Sequence, residues 1–317
     1  MRCMELAQFC ASSRIVIVAG KGGVGKTTVV ATLATMAARS GLSVLVVEVE
    51  GKSGLSAALG LPPLAYEEVE ARPGLRLRAL SADDALLEYL DQKGLQRISG
   101  RLVRSGTLDV VSTAVPGMRD ILLLGKVKQI EQAAAGPDLI VLDAPAAGHA
   151  ITFLTSARGL QDAVRMGPVR HQADEVVDML SDPARCQVLL VTLPEETPVN
   201  EVTETAFALE DRVGIALGPV VVNQCLPARW NGSPHAVADA TLAQERLPAP
   251  DAVALDLATA FVGSRRAIQQ EQITRLAAQL PLPQIQLPFV NEEIGPDAIE
   301  TLADAFAAQV TAMRAPS

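Results

Sequence analysis

The sequence predicts an α/β fold in which a mostly parallel central sheet is flanked by helices. Residues 14–19 form a continuous apolar run, which is typical of a strand buried on both faces. Residues 27–40 show helical spacing of apolar side chains and stop at Gly41, a common helix C-terminal signal. The β-branched run 43–49 follows at once. Strand, helix and strand in this order form a βαβ unit, which requires parallel strands.

The rest of the chain continues this alternation, with two interruptions. Further strands are predicted at 75–80, 139–143, 187–193, 215–223 and 284–287, and further helices at 200–213, 255–280 and 296–313. Residues 61–136 and 154–186 are instead mostly helical in pattern. We therefore expect a core of residues 1–60, 137–153 and 187–317, with 61–136 and 154–186 packing together as a helical insert subdomain at one edge of the sheet.

Composition excludes several classes of protein. With 317 residues, 49% hydrophobic and 20% charged, the chain can bury a large core, so a disordered chain is excluded. The net charge of −9 without any basic block argues against a nucleic-acid partner. No apolar run approaches the ~20 residues of a membrane span, and the N-terminus is a poor signal peptide. We expect a cytoplasmic protein that does not insert into membranes.

The loop at residues 20–27 carries the chemistry. It reads GKGGVGKT, which fits the phosphate-binding pattern G-x-x-x-x-G-K-[ST] between a predicted strand and a predicted helix. Glycines let successive N–H groups converge on a phosphate, and the helix N-terminus adds its dipole. Lys26 should reach the β- and γ-phosphates, and the Thr27 hydroxyl should hold Mg²⁺. The phosphate contacts are predicted to come from Gly22, Gly23, Val24, Gly25, Lys26, Thr27 and Thr28.

A second metal-binding residue follows a buried strand. The apolar run 139–142 ends in the carboxylate of Asp143, which is the Walker B arrangement that holds Mg²⁺ through water. Together with the loop, it predicts a P-loop NTPase that uses ATP and ADP with Mg²⁺. The four cysteines contain no CxxC pair, so we expect no zinc site.

Lys21, an additional lysine early in the loop, restricts the kind of P-loop NTPase that the sequence predicts. The sequence GKGGVGKT resembles the deviant Walker A box of the MinD, ParA, nitrogenase iron protein and arsenical-pump ATPase group. The resemblance implies that Lys21 crosses a dimer interface to the nucleotide of the partner. There it would stabilise charge on the transferred phosphoryl group, as an arginine finger does.

Further segments resemble the arsenical-pump and tail-anchored-protein-targeting ATPases (ArsA-like). Residues 44–59 resemble their switch I, in which the aspartate that positions the attacking water falls on Glu50. Residues 143–149, DAPAAGH, resemble the switch II sequence DTAPTGH, in which Gly148 would offer its N–H to the γ-phosphate. The run 220–224, VVVNQ, resembles a strand end whose asparagine, here Asn223, binds adenine. Pro288 and Phe289 resemble the loop that covers adenine.

The resemblance implies an ATP-hydrolysing dimeric switch, with Lys21, Lys26 and Glu50 as catalytic residues. The dimer would be a homodimer or a heterodimer with a paralogue, and its output would be binding and release of a hydrophobic client or a membrane-protein segment. Two alternatives stay open: a catalytically weak regulatory or scaffold subunit, motivated by glutamate at position 50, and a MinD- or ParA-like positioning ATPase. The methionine-bearing insert helices are equally explained by packing between helices.

Overall fold

One mixed sheet with helices on both faces organises the computed structural model, which describes residues 6–49, 54–92, 117–145, 147–227 and 249–313. The strands are β1 (Ile15–Gly20), β2 (Val44–Val49), β3 (Val69–Arg72), β4 (Leu75–Leu80), β5 (Leu139–Asp143), β6 (Cys186–Thr192), β7 (Ala216–Leu217), β8 (Val220–Cys225) and β9 (Gln284–Pro288). The helices are α1 (Leu6–Cys10), α2 (Lys26–Arg39), α3 (Gly54–Ala58), α4 (Ala82–Gln92), α5 (Met118–Gln132), α6 (Ala147–Ala163), α7 (Pro168–Ser181), α8 (Glu196–Val213), α9 (Ala249–Gln279) and α10 (Pro296–Ala312).

The strand order places the phosphate-binding loop at the centre of the sheet. The order is β3-β4-β2-β5-β1-β6-β8-β9, with β7 beside β6. The described pairings are parallel except that of β3 with β4. In parallel sheets, ligands bind at the carboxyl ends of the strands. The predicted α/β class with a mostly parallel sheet is confirmed.

The apolar strands are explained by helices on both faces. Ile15 and Ile17 of β1 pack into one buried cluster with α5, α6, α7 and α8. Val16 and Val18 point to the other face and pack with α2, α3 and α10. Because successive side chains of a strand alternate between faces, both sets must be apolar. This accounts for the unbroken hydrophobic runs in the sequence.

The strand predicted over 215–223 is divided in two. Ala216–Leu217 pairs with β6, and Val220–Cys225 then continues as β8. Pro219 between them has no N–H to donate to a strand ladder. Gly218 lies so close to β6 that an added Cβ would be 2.9 Å from Leu189 Cδ1. Both strands pair with β6, and the register against β6 shifts by one residue between them.

The residues expected to form a helical insert divide between the sheet and one helical layer. Within 61–136, β4 pairs in parallel with β2, and β3 pairs with β4 in the antiparallel sense, so these strands extend the central sheet. Helices α5, α6 and α7 share one buried cluster that covers a face of the sheet rather than its edge. The division into a core and a helical insert subdomain stays a proposal for these helices.

Candidate functional site

The loop between β1 and α2 forms a cradle for an anion. Gly23 and Gly25 have φ values of +84° and +88°, a left-handed conformation that favours glycine. Gly25 precedes α2, and no side chain caps that helix end. The positive end of the α2 dipole therefore faces the loop without a capping acceptor. Backbone N–H groups and a helix N-terminus together favour binding of phosphate.

Neighbouring strands hold this loop from behind. Asn223, at the end of β8, is only 4% exposed, and its Nδ2 donates a hydrogen bond to the carbonyl oxygen of Val24 at 3.0 Å. A Cβ on Gly25 would lie 2.2 Å from Asn223 Nδ2, and a Cβ on Gly20 would lie 2.4 Å from the carbonyl oxygen of Val191. Real Cβ atoms do not approach other heavy atoms this closely. These glycines are therefore required for packing as well as for backbone conformation.

The two lysines of the loop take different positions. Lys26 Nζ donates a hydrogen bond to the carbonyl oxygen of Lys21 at 3.1 Å, so its side chain folds back across the loop. Lys21 Nζ lies 2.9 Å from Glu201 Oε1 on α8, and the Lys21 side chain is 51% exposed. A solvent-exposed ion pair of this kind contributes no more than about 1 kcal/mol. Lys21 can therefore leave Glu201 for another anion at small cost.

Oxygen ligands suited to Mg²⁺ meet beside the helix start. Thr27 Oγ1 donates a hydrogen bond to Asp143 Oδ2 at 2.9 Å, and Asp143 is 5% exposed. Hydroxyl and carboxylate oxygens are the ligand types that Mg²⁺ prefers. Asp143 and Glu48 are register partners in β5 and β2, so their side chains lie on the same face of the sheet. Glu48 is 2% exposed.

Glu48 is not among the site residues predicted from the sequence. The available signal was a carboxylate inside a strand whose other members, in 44–49, are all apolar. A buried glutamate on an otherwise apolar strand requires polar or cationic surroundings. Its register with Asp143 places two buried carboxylates on the same face of the sheet, an arrangement that only the sheet pairing reveals.

A cavity of about 200 Å³ lies at the carboxyl edge of the sheet, lined by residues at the ends of β6, β8 and β9 and by residues of α9. Phe261, Phe289 and Pro194 are among its apolar lining residues, and the polar ones include Gln224, Gln269 and the ion pair of Arg265 with Glu195. Gln224 directly follows Asn223, which contacts the phosphate-binding loop. The cavity therefore combines apolar and polar lining residues, and one of them, Gln224, is the sequence neighbour of a residue that contacts the anion cradle. This combination suits a nucleotide base attached to phosphates.

The other predicted site residues fall around the same edge of the sheet. Gly148 lies in the first turn of α6, shortly after Asp143. Pro288 ends β9, and Phe289 lines the cavity while its N–H donates to the carbonyl oxygen of Cys225 at 2.9 Å. Glu50 lies outside the residues that the structure describes. Its role as the residue that positions water stays a prediction.

Comparison with known proteins finds a matching family and similar chains. The profile of the family described as anion-transporting ATPase matches residues 13–167. The chain is 33% identical over 318 residues to ATPase BagA of Mycobacterium tuberculosis, with 93% of each chain covered. The chain belongs to the ArsA-like ATPase family. An arsenical pump-driving ATPase of Escherichia coli is 29% identical over 224 residues, which are 69% of this ArsA-like chain and 36% of that protein.

The described part of this ArsA-like ATPase contains no helix that is both long and apolar enough to cross a bilayer. The longest of the described helices, α9, has 31 residues but carries charged side chains along its length. Among the described residues, the large exposed apolar side chains include Phe207, Met166 and several on α9.

Three of the four cysteines of this ArsA-like ATPase, Cys10, Cys186 and Cys225, are expected to resist alkylation. Burial raises the pKa of the Cys10 and Cys225 thiols to about 12, and it also raises the pKa of the fully buried Cys186. The thiolate is the reactive form, so at pH 8 all three thiols should stay protonated as well as inaccessible. Mass spectrometry after iodoacetamide treatment should find them unmodified in the native protein and modified in urea. Rapid native labelling of Cys225 would contradict this prediction.

Proposed function

We propose that this protein is a Mg²⁺-dependent ATPase whose dimer is closed and opened by the nucleotide. The observation that carries the proposal is the contact between Thr27 and Asp143 at the first turn of α2, which joins the phosphate-binding loop to a buried carboxylate. The anion cradle, the oxygen ligands and the cavity at the same edge of the sheet fit Mg²⁺–ATP. When bound, Mg²⁺–ATP supplies the γ-phosphoryl group that is transferred to water.

Each residue has a separate task in this proposal. Thr27 would hold the metal directly and Asp143 would hold it through water. Lys26 would place its charge on the β- and γ-phosphate oxygens, where negative charge increases in the transition state. Glu50 would orient the attacking water and accept its proton. The backbone N–H of Gly148, which follows β5 closely, would distinguish ATP from ADP.

The proposed dimer depends on Lys21, which would contact the nucleotide bound by the partner. In one chain its ammonium group is paired with Glu201 and half exposed. A surface pair of this strength is easily exchanged for a phosphate of the partner. Dimer closure would therefore replace the Lys21–Glu201 pair by a contact with the nucleotide across the interface, so that closure depends on the nucleotide. A homodimer and a heterodimer with a paralogue both satisfy this requirement.

A cavity in the helical layer is the observation that supports binding of a hydrophobic client. The cavity has a volume of about 220 Å³ and lies between α4, α5 and α7. Its lining is mainly apolar and includes Leu86, Ile121, Leu122 and Val169. Hydrophobic side chains of a client would lose contact with water there. We propose that closure of the dimer changes access to this layer, and that hydrolysis releases the client.

The experiment combines ATP turnover with light scattering in the same samples. Glu50→Gln should abolish turnover and leave an ATP-bound dimer, because the water is no longer activated while the nucleotide stays bound. Lys21→Ala should abolish both turnover and the ATP-dependent dimer. Glu70→Gln, the same change at an exposed residue of β3, is the matched control and should behave as wild type.

The same experiment distinguishes the proposed ATPase from a second candidate function, that of a catalytically weak regulatory subunit. The observation that favours this candidate is glutamate at position 50, one methylene longer than the family's aspartate. A wild-type protein that binds ATP without hydrolysing it, and in which Glu50→Gln changes nothing, would establish the regulatory role and contradict the ATPase proposal.

A further inference from the structure

Three cationic side chains line a polar cavity between the sheet and the end of α5. The cavity has a volume of about 300 Å³, and its wall includes Arg76 and Arg78 of β4 and Lys126 of α5. Among the described lining residues, Glu68 is the one carboxylate. The wall therefore presents more positive than negative charge.

This cavity lies at the opposite edge and on the opposite face of the sheet from the phosphate-binding loop. Pro137, one of its lining residues, comes just before β5, whereas Asp143 ends β5 at the carboxyl edge. Arg76 is the register partner of Leu45, which belongs to the buried cluster on the α5 face. Asp143 shares the other face with Val141, which packs with α2. An anion in this cavity would therefore be separate from one in the phosphate cradle.

Arg78 holds a buried charge that its neighbours compensate only in part. Its side chain is 9% exposed, and its Cζ lies 4.3 Å from the ring centroid of Tyr66. Arg78 Nε is buried and has no hydrogen-bond partner within the described part of the chain. Glu68 Oε1 is 3.8 Å from Arg78 Nη1, too far for a hydrogen bond, and Glu68 Oε2 already accepts one from Arg76 at 2.7 Å. A guanidinium shielded from water in this way favours a further anionic partner.

The other side of the cavity does not remove this excess charge. Lys126 Nζ and the Tyr66 hydroxyl both donate to Glu88. Burial and the bond to Glu88 raise the pKa of Tyr66, so its ring stays neutral. Within this group of side chains, the three cations meet two carboxylates, Glu68 and Glu88. One positive charge is left, which a single anionic group would balance.

We propose that this cavity is a binding site for a small oxyanion, a phosphate or carboxylate group that Arg76, Arg78 and Lys126 bind together. The planar guanidinium groups offer paired N–H donors that match the oxygens of either group, and the ammonium adds a point charge. The bound group would connect β4 to α5.

The test is a calorimetric titration of the full chain with two probes, inorganic phosphate and citrate. Phosphate is a tetrahedral oxyanion and citrate presents carboxylates, so the pair distinguishes the two ligand chemistries. The variants are Arg78→Gln, which removes the buried charge, and Glu68→Gln, which removes the competing carboxylate. Lys26→Ala is included because the phosphate-binding loop is the other place where an anion could bind.

Each variant of the cavity has a matched control. Arg212→Gln removes the same charge as Arg78→Gln at an exposed position in the last turn of α8. Glu70→Gln makes the same change as Glu68→Gln at an exposed position of β3. Both controls should bind the probes as wild type does.

We expect at least one probe to bind to wild type and to Lys26→Ala alike, and at least about tenfold more weakly to Arg78→Gln. Glu68→Gln should bind it about threefold more tightly, because this carboxylate no longer competes for the two arginines. A gain of affinity cannot come from loss of the fold. Glu68→Gln therefore stays decisive even if Arg78→Gln is unstable.

Three results would overturn the inference. The first is that neither probe binds to the wild type, and the second is that Arg78→Gln and Glu68→Gln leave the affinity unchanged. The third is an affinity that is lost in Lys26→Ala and kept in Arg78→Gln, which would place the anion in the phosphate-binding loop. Because the described lining of the cavity includes no residue of that loop, the outcome is independent of ATP hydrolysis.

Discussion

Replacing Lys26 by alanine should lower ATP turnover by at least about a hundredfold, which corresponds to about 2.7 kcal/mol of lost transition-state stabilisation. Lys26 begins α2, and its Nζ now lies 3.1 Å from the carbonyl oxygen of Lys21, within the loop that should bind the phosphates. Removing the ammonium group takes away a positive charge from the place where phosphoryl oxygens gain negative charge. Initial rates of phosphate release at saturating Mg²⁺–ATP measure the effect.

The Lys26 result needs evidence that the variant is folded. Lys26→Arg is a useful companion, because it keeps the charge while changing the shape and reach of the cation. We expect intermediate turnover for this variant and a similar melting temperature for both variants and wild type. Wild-type turnover in a folded Lys26→Ala protein would remove this loop from the catalytic site.

Gly25→Ala should destabilise the ligand-free protein and abolish nucleotide binding. The residue has a φ of +88°, and the new Cβ would lie 2.2 Å from Asn223 Nδ2. The left-handed conformation alone costs alanine on the order of 1–2 kcal/mol, and displacement of Asn223 adds the loss of a buried hydrogen bond to Val24. Thermal denaturation without nucleotide should therefore show a melting temperature lower by several degrees.

Gly22→Ala is the matched control for this effect. A Cβ on Gly22 meets nothing within 4 Å, so the stability of the ligand-free protein should change little. The two variants differ in packing and backbone conformation rather than in side-chain chemistry. Equal melting temperatures for Gly25→Ala and Gly22→Ala would contradict the assigned role of the Gly25–Asn223 contact.

Local patterns in the sequence were sufficient for much of the fold. The mainly apolar runs of β1, β2 and β5 indicate burial on both faces, and the structure confirms these strands within one residue of the predicted bounds. The sequence pattern was insufficient where the pairing between strands decides whether a segment joins the sheet. The strand β3 has mixed exposure and few apolar residues, so its place at the sheet edge comes from its pairing with β4.

At the candidate site, too, some features follow from local sequence and others only from the tertiary structure. The spacing of glycines, Lys26 and Thr27 was sufficient to predict an anion-binding loop, because backbone conformation and helix dipole are local properties. The contact of Thr27 with Asp143 joins residues 116 positions apart, and it exists because β1 and β5 are parallel neighbours. Glu48 likewise lies beside Asp143 because β2 and β5 are neighbouring strands.

The sequence by itself determined the α/β class, the family and the loop that should bind phosphate. Tertiary structure alone placed Asn223 against the loop, paired Lys21 with Glu201, and brought Arg78 of β4 and Lys126 of α5 to one cavity. Local sequence specifies what a segment can form, because propensity and periodicity act over a few residues. Which side chains then meet depends on strand order and helix packing, which are set by burial across the whole chain.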